Sequence, residues 1–126
     1  MTPFGEKVRA LRRARGVSQK EMAAALGVSA AYLSALEHGR RGRPSWALIQ
    51  KVIGYFNIIW DDADELESLA FLSDPRVTID TAGLSPRATR LANLLAETIG
   101  KLDETALDSL AAQLEAALAG ESKDVT

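Results

Sequence analysis

Two short helices joined by a very tight turn constrain this chain more than any other feature of its sequence. Ser18 is a favourable N-cap residue and Glu21 follows three residues later, which is the capping box that begins a helix. Gly27 stands where a glycine commonly ends a helix. Only one residue separates Gly27 from Ser29, which caps a second helix from residue 30 to about residue 37. The segment therefore predicts two helices that turn sharply against each other.

Helix caps and apolar spacing organise the rest of the chain in the same way. The tight pair is a helix-turn-helix arrangement. With this pair included, the caps and the spacing predict seven helices, at residues 3–15, 18–26, 30–37, 45–56, 62–72, 86–100 and 104–119. We expect Asp61 to cap the fifth helix, and Asp74, which precedes a proline, to end it. The predicted fold class is all-α.

These boundaries predict two domains. Residues 1–73 form the helix-turn-helix domain, residues 74–85 a linker, residues 86–120 a C-terminal helical hairpin and residues 121–126 a frayed tail. Residues 77–80 alternate apolar and polar side chains, so this part of the linker is either irregular or a short strand.

The charge of the chain is divided unequally between its halves. Residues 1–60 hold ten Lys or Arg and three acids, a net charge of +7. Residues 61–126 hold five Lys or Arg and fourteen acids, a net charge of −9. The basic half is therefore a candidate surface for a polyanion such as nucleic acid.

The side-chain inventory excludes most catalytic chemistry. The chain has no cysteine and one histidine, which excludes disulfides, thiolate metal sites and any site that needs two histidines. With no evident nucleophile–base pair or set of metal ligands, we expect no enzyme activity, no metal and no cofactor. The acidic start of the fifth helix complements the helix dipole and needs no ligand. We expect the core to contain Trp46, Tyr55, Phe56 and Trp60.

The second helix of the tight pair has two different faces. At 100° per residue, Leu33 and Leu36 point towards the core. The opposite face carries Ala31, Ser34, Ala35 and His38, flanked by Ala30 and Tyr32. Small side chains let a helix approach another surface closely, and the major groove of DNA admits an α-helix. The other interpretation is that alanine is present because it is the best helix former, on a surface that binds nothing. The adjoining tight turn and arginines favour DNA binding.

Three short patterns in this region carry a family resemblance. They are Gln19 with Ala23 four residues later, the Gly-Val-Ser sequence of the turn, and the Ser-x-Leu-Glu-x-Gly sequence that ends at Gly39. With them, residues 4–60 resemble the Xre/Cro–C1 family of phage-repressor-like helix-turn-helix proteins. The resemblance implies a compact, lambda-repressor-like bundle of five helices that binds double-stranded DNA.

The resemblance also implies which residues contact DNA. Gln19 matches a contact to the DNA backbone that also braces the third helix, and Tyr32 matches a phosphate contact. The base-facing and groove-edge positions correspond to Ser29, Ala30, Ala31, Ser34 and Ala35. The loop along the phosphate backbone corresponds to Arg40, Arg41 and Arg43. Arg12 and Glu37 match a buried structural ion pair between the first and third helices.

The third helix departs from the family pattern in two ways. Many members have asparagine where this chain has His38, which is either a phosphate contact or a solvated residue at the helix end. The helix also offers no Gln, Asn or Arg for bidentate base contacts. Specificity would then rest on water, methyl contacts and DNA deformability, so the sequence does not predict the operator.

Both C-terminal helices carry an apolar stripe that a two-helix hairpin alone cannot bury. The stripe comprises Leu91, Leu95, Ile99, Leu107, Leu110, Leu114 and Leu118. A second copy of the chain would cover it in an intermolecular four-helix bundle. The alternative is that both helices fold back on the first domain, but a two-fold protein suits a two-fold operator.

These features together predict a homodimeric transcriptional regulator, most simply a repressor, that reads a pseudo-palindromic operator with residues 29–38. The alternative is an antitoxin or adaptor whose acidic C-terminal half binds a protein partner, while the helix-turn-helix mainly autoregulates. No apolar run approaches the ~20 residues of a membrane span, so we expect no membrane partner. The lack of cysteine suits a reducing compartment, and we expect a cytoplasmic, nucleoid-associated protein of a prokaryote or phage.

Overall fold

The structure is a computed structural model that describes residues 1–40 and 42–124, with side chains up to residue 120. Within these residues, the regular structure consists of seven α-helices and one 3₁₀ segment. The helices are α1 (Pro3–Ala14), α2 (Gln19–Leu26), α3 (Ala30–Glu37), α4 (Trp46–Tyr55), α5 (Trp60–Phe71), α6 (Pro86–Thr98) and α7 (Glu104–Asp124), and the 3₁₀ segment is Ile99–Lys101. The predicted all-α class is confirmed. Residues 77–80 are irregular, and the described ranges contain no β-strand.

The chain divides into two compact units. The first is Met1–Val77, which contains α1 to α5, and the second begins at Thr78 and contains α6, the 3₁₀ segment and α7. The division falls inside residues 74–85, the segment for which the sequence predicts a linker.

The tight pair of helices begins and turns as the sequence predicts. The Ser18 hydroxyl accepts a hydrogen bond from the Glu21 N–H at 3.1 Å, and the Ser29 hydroxyl accepts one from the Tyr32 N–H at 3.0 Å. Between them, Gly27 has a φ of +75°, a conformation that strains any residue with a side chain. Local chemistry alone therefore sets the limits of α2 and α3, which pack against each other.

All five helices of the first unit contribute to one core. It comprises Phe4, Val8, Met22, Ala23, Leu26, Leu33, Leu36, Leu48, Ile49, Val52, Phe56, Leu66 and Ala70. α1 packs against α3 and α5, while α4 packs against α2 and α5. Burial of this apolar surface is the main stabilising contribution, and it leaves the outer face of α3 at the surface.

The first turn of α1 is completed by residues near and far in the sequence. The opening N–H groups of a helix have no partners within it. The Gly5 N–H donates to the Thr2 hydroxyl at 3.1 Å, and the Phe4 N–H donates to Ser73 Oγ at 2.9 Å. Ser73 follows α5 and is buried, and its hydroxyl donates to the Leu69 carbonyl. This bond joins the beginning of the first unit to its end.

The start of α5 differs from the prediction. α5 begins at Trp60, so Asp61 lies in its first turn and does not cap it. Asn57 ends α4 with a left-handed φ of +52°, and Ile58 and Ile59 separate it from Trp60. The Asp61 carboxylate still lies where the helix dipole favours negative charge.

Two of the four aromatic residues that we expected in the core are at the surface. Phe56 is buried and Tyr55 is half-buried, and their rings make an edge-on contact at 4.9 Å. Trp46 and Trp60, however, are 72% and 83% exposed. Each is the first residue of its helix, whereas the buried residues of α4 begin at Leu48. The prediction of core packing is therefore wrong for both tryptophans.

The second unit is helical but contains no buried side chain among residues 78–120. Ser85 caps α6 by accepting from the Ala88 N–H at 3.4 Å, and Asp103 caps α7 by accepting from the Ala106 N–H at 2.8 Å. α7 continues to Asp124, past the predicted end at residue 119 and into the segment predicted to fray. Within the residues described, no helix is both long enough and apolar enough to cross a membrane.

Candidate nucleic-acid interface

The outer face of α3 is a surface of small side chains. Leu33 and Leu36 are buried in the core, which turns the other side of the helix outwards. That side carries the exposed Ala30 and Ala31 and the half-buried Ser34 and Ala35, with Ser29 exposed just before it. Methyl and hydroxyl groups keep the helix slim, so its backbone can approach another surface closely. The major groove of B-DNA, which is about 12 Å wide, has the dimensions for such a helix.

A buried ionic network fixes the C-terminal end of α3. Arg12 Nε and Nη2 lie 3.3 Å and 3.5 Å from the two carboxylate oxygens of Glu37, whose side chain is 1% exposed. Gln19, the first residue of α2, donates an amide N–H to the same carboxylate. Arg12 also donates to the Val17 carbonyl at 3.3 Å. The network therefore holds α1, the start of α2 and the end of α3 in one arrangement.

α1 and α3 approach each other so closely that position 5 must be glycine. A Cβ on Gly5 would lie 2.3 Å from the Glu37 carbonyl oxygen and 2.7 Å from the Glu37 Cα. Both atoms belong to the backbone, so they cannot swing aside as the end of a side chain can. The close approach places α1 directly against the end of α3, where Arg12 reaches Glu37.

The two predicted phosphate contacts at the starts of α2 and α3 are partly engaged within the protein. Gln19 is half-buried, and one of its two amide N–H donors serves Glu37. Tyr32 is half-buried and packs against the core. Tyr32 also lines a surface groove of about 390 Å³ with Ser29 and Lys51, between the starts of α3 and α4. Both side chains therefore lie beside the outer face of α3.

The arginines that follow α3 differ in their surroundings. Arg40 is exposed, and its N–H donates to the Ala35 carbonyl at 2.9 Å, which closes the end of α3. The Arg43 guanidinium lies over the Phe71 ring, 4.3 Å from its centroid, in a cation–π contact. Arg41 lies outside the described residues.

A second groove brings together residues that the sequence analysis did not connect. It has a volume of about 420 Å³ and lies between α1 and α3, where Arg9 and Arg13 line it together with Ser34 and His38. His38 Nδ1 lies 2.8 Å from the Ser34 carbonyl, which can only accept, so Nδ1 carries the hydrogen. The sequence does contain a signal for this groove, because Arg9 and Arg13 are four residues apart and share a helix face. It does not say which face of α1 lies beside α3.

The residues predicted to form a dimer interface all belong to the second unit. Leu95 and Leu107 are half-buried. The other five are exposed: Leu91, Ile99, Leu110, Leu114 and Leu118.

The described part of the chain contains no cluster of three acidic or histidine side chains that could hold a metal ion.

The comparisons with known proteins identify a helix-turn-helix domain within the first unit and relatives that are HTH-type transcriptional regulators. Residues 3–57 match the family model described as a helix-turn-helix domain. The chain is 46% identical over 52 residues to the HTH-type transcriptional repressor RghR of Bacillus subtilis, which is 41% of this chain and 38% of RghR. It is 37% identical over 92 residues to the HTH-type transcriptional regulator DdrOP3 of Deinococcus deserti, which is 73% of this chain and 64% of DdrOP3.

A shorter relative is covered almost completely. The chain is 41% identical over 63 residues to the uncharacterized HTH-type transcriptional regulator YazB of Bacillus subtilis, which is 50% of this chain and 86% of YazB. By contrast, the chain spans less than two thirds of the length of RghR and of DdrOP3. No solved structure matches the chain.

Proposed function

This chain belongs to the helix-turn-helix family of transcriptional regulators, and from that membership we propose that it binds double-stranded DNA sequence-specifically and represses transcription as a homodimer. The observation that carries the proposal is the outer face of α3, where small side chains stand on a helix held firmly by the Arg12–Glu37–Gln19 network. RghR is named as a repressor, which supports repression over activation.

The face of α3 suggests how the operator is read. Ala31 and Ala35 offer methyl groups that can contact the methyl groups of thymine, and the Ser34 hydroxyl can donate or accept. Gln19, Tyr32 and the arginines of residues 40–43 then hold the phosphates on either side. Because α3 has no long amide or guanidinium side chain, the deformability of the DNA and bridging water supply part of the specificity.

The second unit supports the homodimer. Its leucines recur along α6 and α7, yet residues 78–120 contain no buried side chain. A segment that buries so little apolar surface cannot offset the entropy of ordering its own chain. A second copy would cover both stripes and place two α3 helices on successive half-sites, about 34 Å apart.

Selection from a randomised duplex library with the full chain tests the DNA-binding proposal. We expect the enriched duplexes to contain two inverted half-sites about 10 base pairs apart, centre to centre. We expect Ala31→Glu to abolish binding, since a carboxylate would face the bases and phosphates. Ala10→Glu makes the same change on exposed α1 surface that lies beside Glu65, away from the α1–α3 groove, and should bind normally. Normal binding by Ala31→Glu would contradict the assignment of this face.

The alternative function, an antitoxin or adaptor, is favoured by the same lack of buried side chains in the second unit. The mass of the purified chain in solution separates the two functions. A dimer of this chain alone supports the repressor, whereas a monomer that is stable only with a co-purified protein supports the alternative.

A further inference from the structure

We propose that Arg9 and Arg13, with His38 facing them across the groove, form a phosphate-binding strip that anchors the DNA backbone on the α1 side of α3. We call Arg9 and Arg13 the α1 strip. The proposal rests on the proposed function, because it adds an anchor to the same DNA-binding surface. It goes beyond the contacts that the family resemblance implies, none of which lies at these two positions.

The groove places the α1 strip beside the residues that face the bases. Arg9 and Arg13 line one wall, and Ser34 and His38, from α3, line the other. A DNA strand that passes along the edge of α3 therefore passes over this groove. Four residues of α-helix rise about 6 Å, so the two arginines are about that far apart along α1. Their long, flexible side chains can adjust this separation to contact neighbouring phosphates of one strand.

The charges of the groove are only partly neutralised within the protein. Three arginines line it, and Arg12 is paired with Glu37. Among the described residues, neither Arg9 nor Arg13 has an acidic side chain within salt-bridge distance. Lys7, on the same helix, provides the contrast, because it is paired with Glu65 at 3.8 Å. The groove thus retains two positive charges that a phosphate can neutralise.

The geometry of His38 adds a third donor to the same groove. Its Nδ1 is used by the Ser34 carbonyl at 2.8 Å, and this bond fixes the ring on the groove side of α3. Nε2 is the other ring nitrogen, and it donates to a phosphate in the imidazolium form, in which both ring nitrogens carry a hydrogen. A phosphate in the groove then meets guanidinium groups from α1 and an imidazolium at the end of α3, so it bridges the two helices.

The test measures the salt dependence of affinity for a duplex that the wild-type chain has selected from a randomised library. We expect Arg9→Gln and Arg13→Gln each to lower the slope of log affinity against log salt by about 0.9, which is about fivefold in affinity near ~0.15 M salt. Arg9→Lys and Arg13→Lys keep the charge and should keep the slope. The ratio of affinities for selected and scrambled duplexes should stay the same, because phosphate contacts carry no sequence information.

The matched control is Lys7→Gln, which removes one positive charge from the same helix outside the groove. It should leave the slope at its wild-type value. An equal loss in Lys7→Gln would overturn the proposal, because the effect would then reflect net charge alone. Wild-type slopes in both arginine-to-glutamine variants, with unchanged circular dichroism, would also overturn it and leave the proposed function standing. If the wild-type chain selects no duplex, the proposed function itself fails.

Discussion

The substitution Glu37→Gln tests whether the buried network holds α3 in place. Glutamine keeps the shape of the side chain but removes its charge, so Arg12, which is only 12% exposed, loses its ionic partner. Removing one partner of a buried ion pair costs about 3–5 kcal/mol, chiefly because the other charge stays buried without compensation. The Arg12–Glu37 contacts of 3.3 Å and 3.5 Å are longer than those of strong charge-assisted bonds. We therefore expect the lower end, about 3 kcal/mol.

Urea unfolding and thermal unfolding, both followed by circular dichroism, measure this loss. A destabilisation of about 3 kcal/mol should lower Tm by roughly 12–24 °C in a domain of this size. Glu65→Gln is the matched control, because Glu65 pairs with Lys7 at 3.8 Å while the two side chains are 53% and 38% exposed. Exposed pairs contribute little, so the control should change stability by less than about 1 kcal/mol.

A double substitution distinguishes the energetic cost of an unpaired buried charge from the cost of losing the packing of the two side chains. Arg12→Leu combined with Glu37→Leu leaves no buried charge, so it should destabilise the unit less than Glu37→Gln alone. If Glu37→Gln costs no more than Glu65→Gln, the network does not hold α3, and the account of how the outer face is positioned is wrong.

Two further predictions use matched pairs of substitutions. Gly5→Ala should lower the stability by at least about 1–3 kcal/mol, because the new methyl group would lie 2.3 Å from the Glu37 carbonyl oxygen. Gly54→Ala in α4 should raise the stability by about 0.5–1 kcal/mol, because a methyl group there would meet no atom of another part of the chain within 4 Å. Urea midpoints compare the two variants, and the opposite order would refute the packing argument. Leu114→Asp should raise the Kd of the dimer by about 100-fold or more, since about 1.5 kcal/mol of apolar burial is lost in each of two copies. Gln113→Asp is its control, and sedimentation of both variants showing equal dissociation would refute the interface.

The elements that follow from local chemistry could be predicted well. Ser18, Gly27 and Ser29 act on the backbone within three residues of themselves, so α2 and α3 begin where the sequence indicates. The burial of Leu33 and Leu36 follows from helical periodicity alone. The outer face of α3 is therefore predictable from the amino-acid sequence.

The features that depend on how helices pack could not be predicted in this way. The face that α1 turns to α3 decides whether Arg9 and Arg13 line a groove, and periodicity does not state which neighbour a helix face meets. The role of Gly5 arises from the backbone of Glu37, which is 32 residues away in sequence. The prediction that Trp46 and Trp60 lie in the core is wrong, because it rests on their aromatic character alone. Their positions at the starts of helices keep both side chains at the surface.

The bond between Phe4 and Ser73 has a consequence for how the protein is made. During translation α1 leaves the ribosome before α5, and the partner of its Phe4 N–H is synthesised 69 residues later. A nascent chain that ends within α5 contains every residue of α2 and α3 but leaves the first turn of α1 incomplete. The first unit therefore reaches its final stability only after Ser73 has emerged.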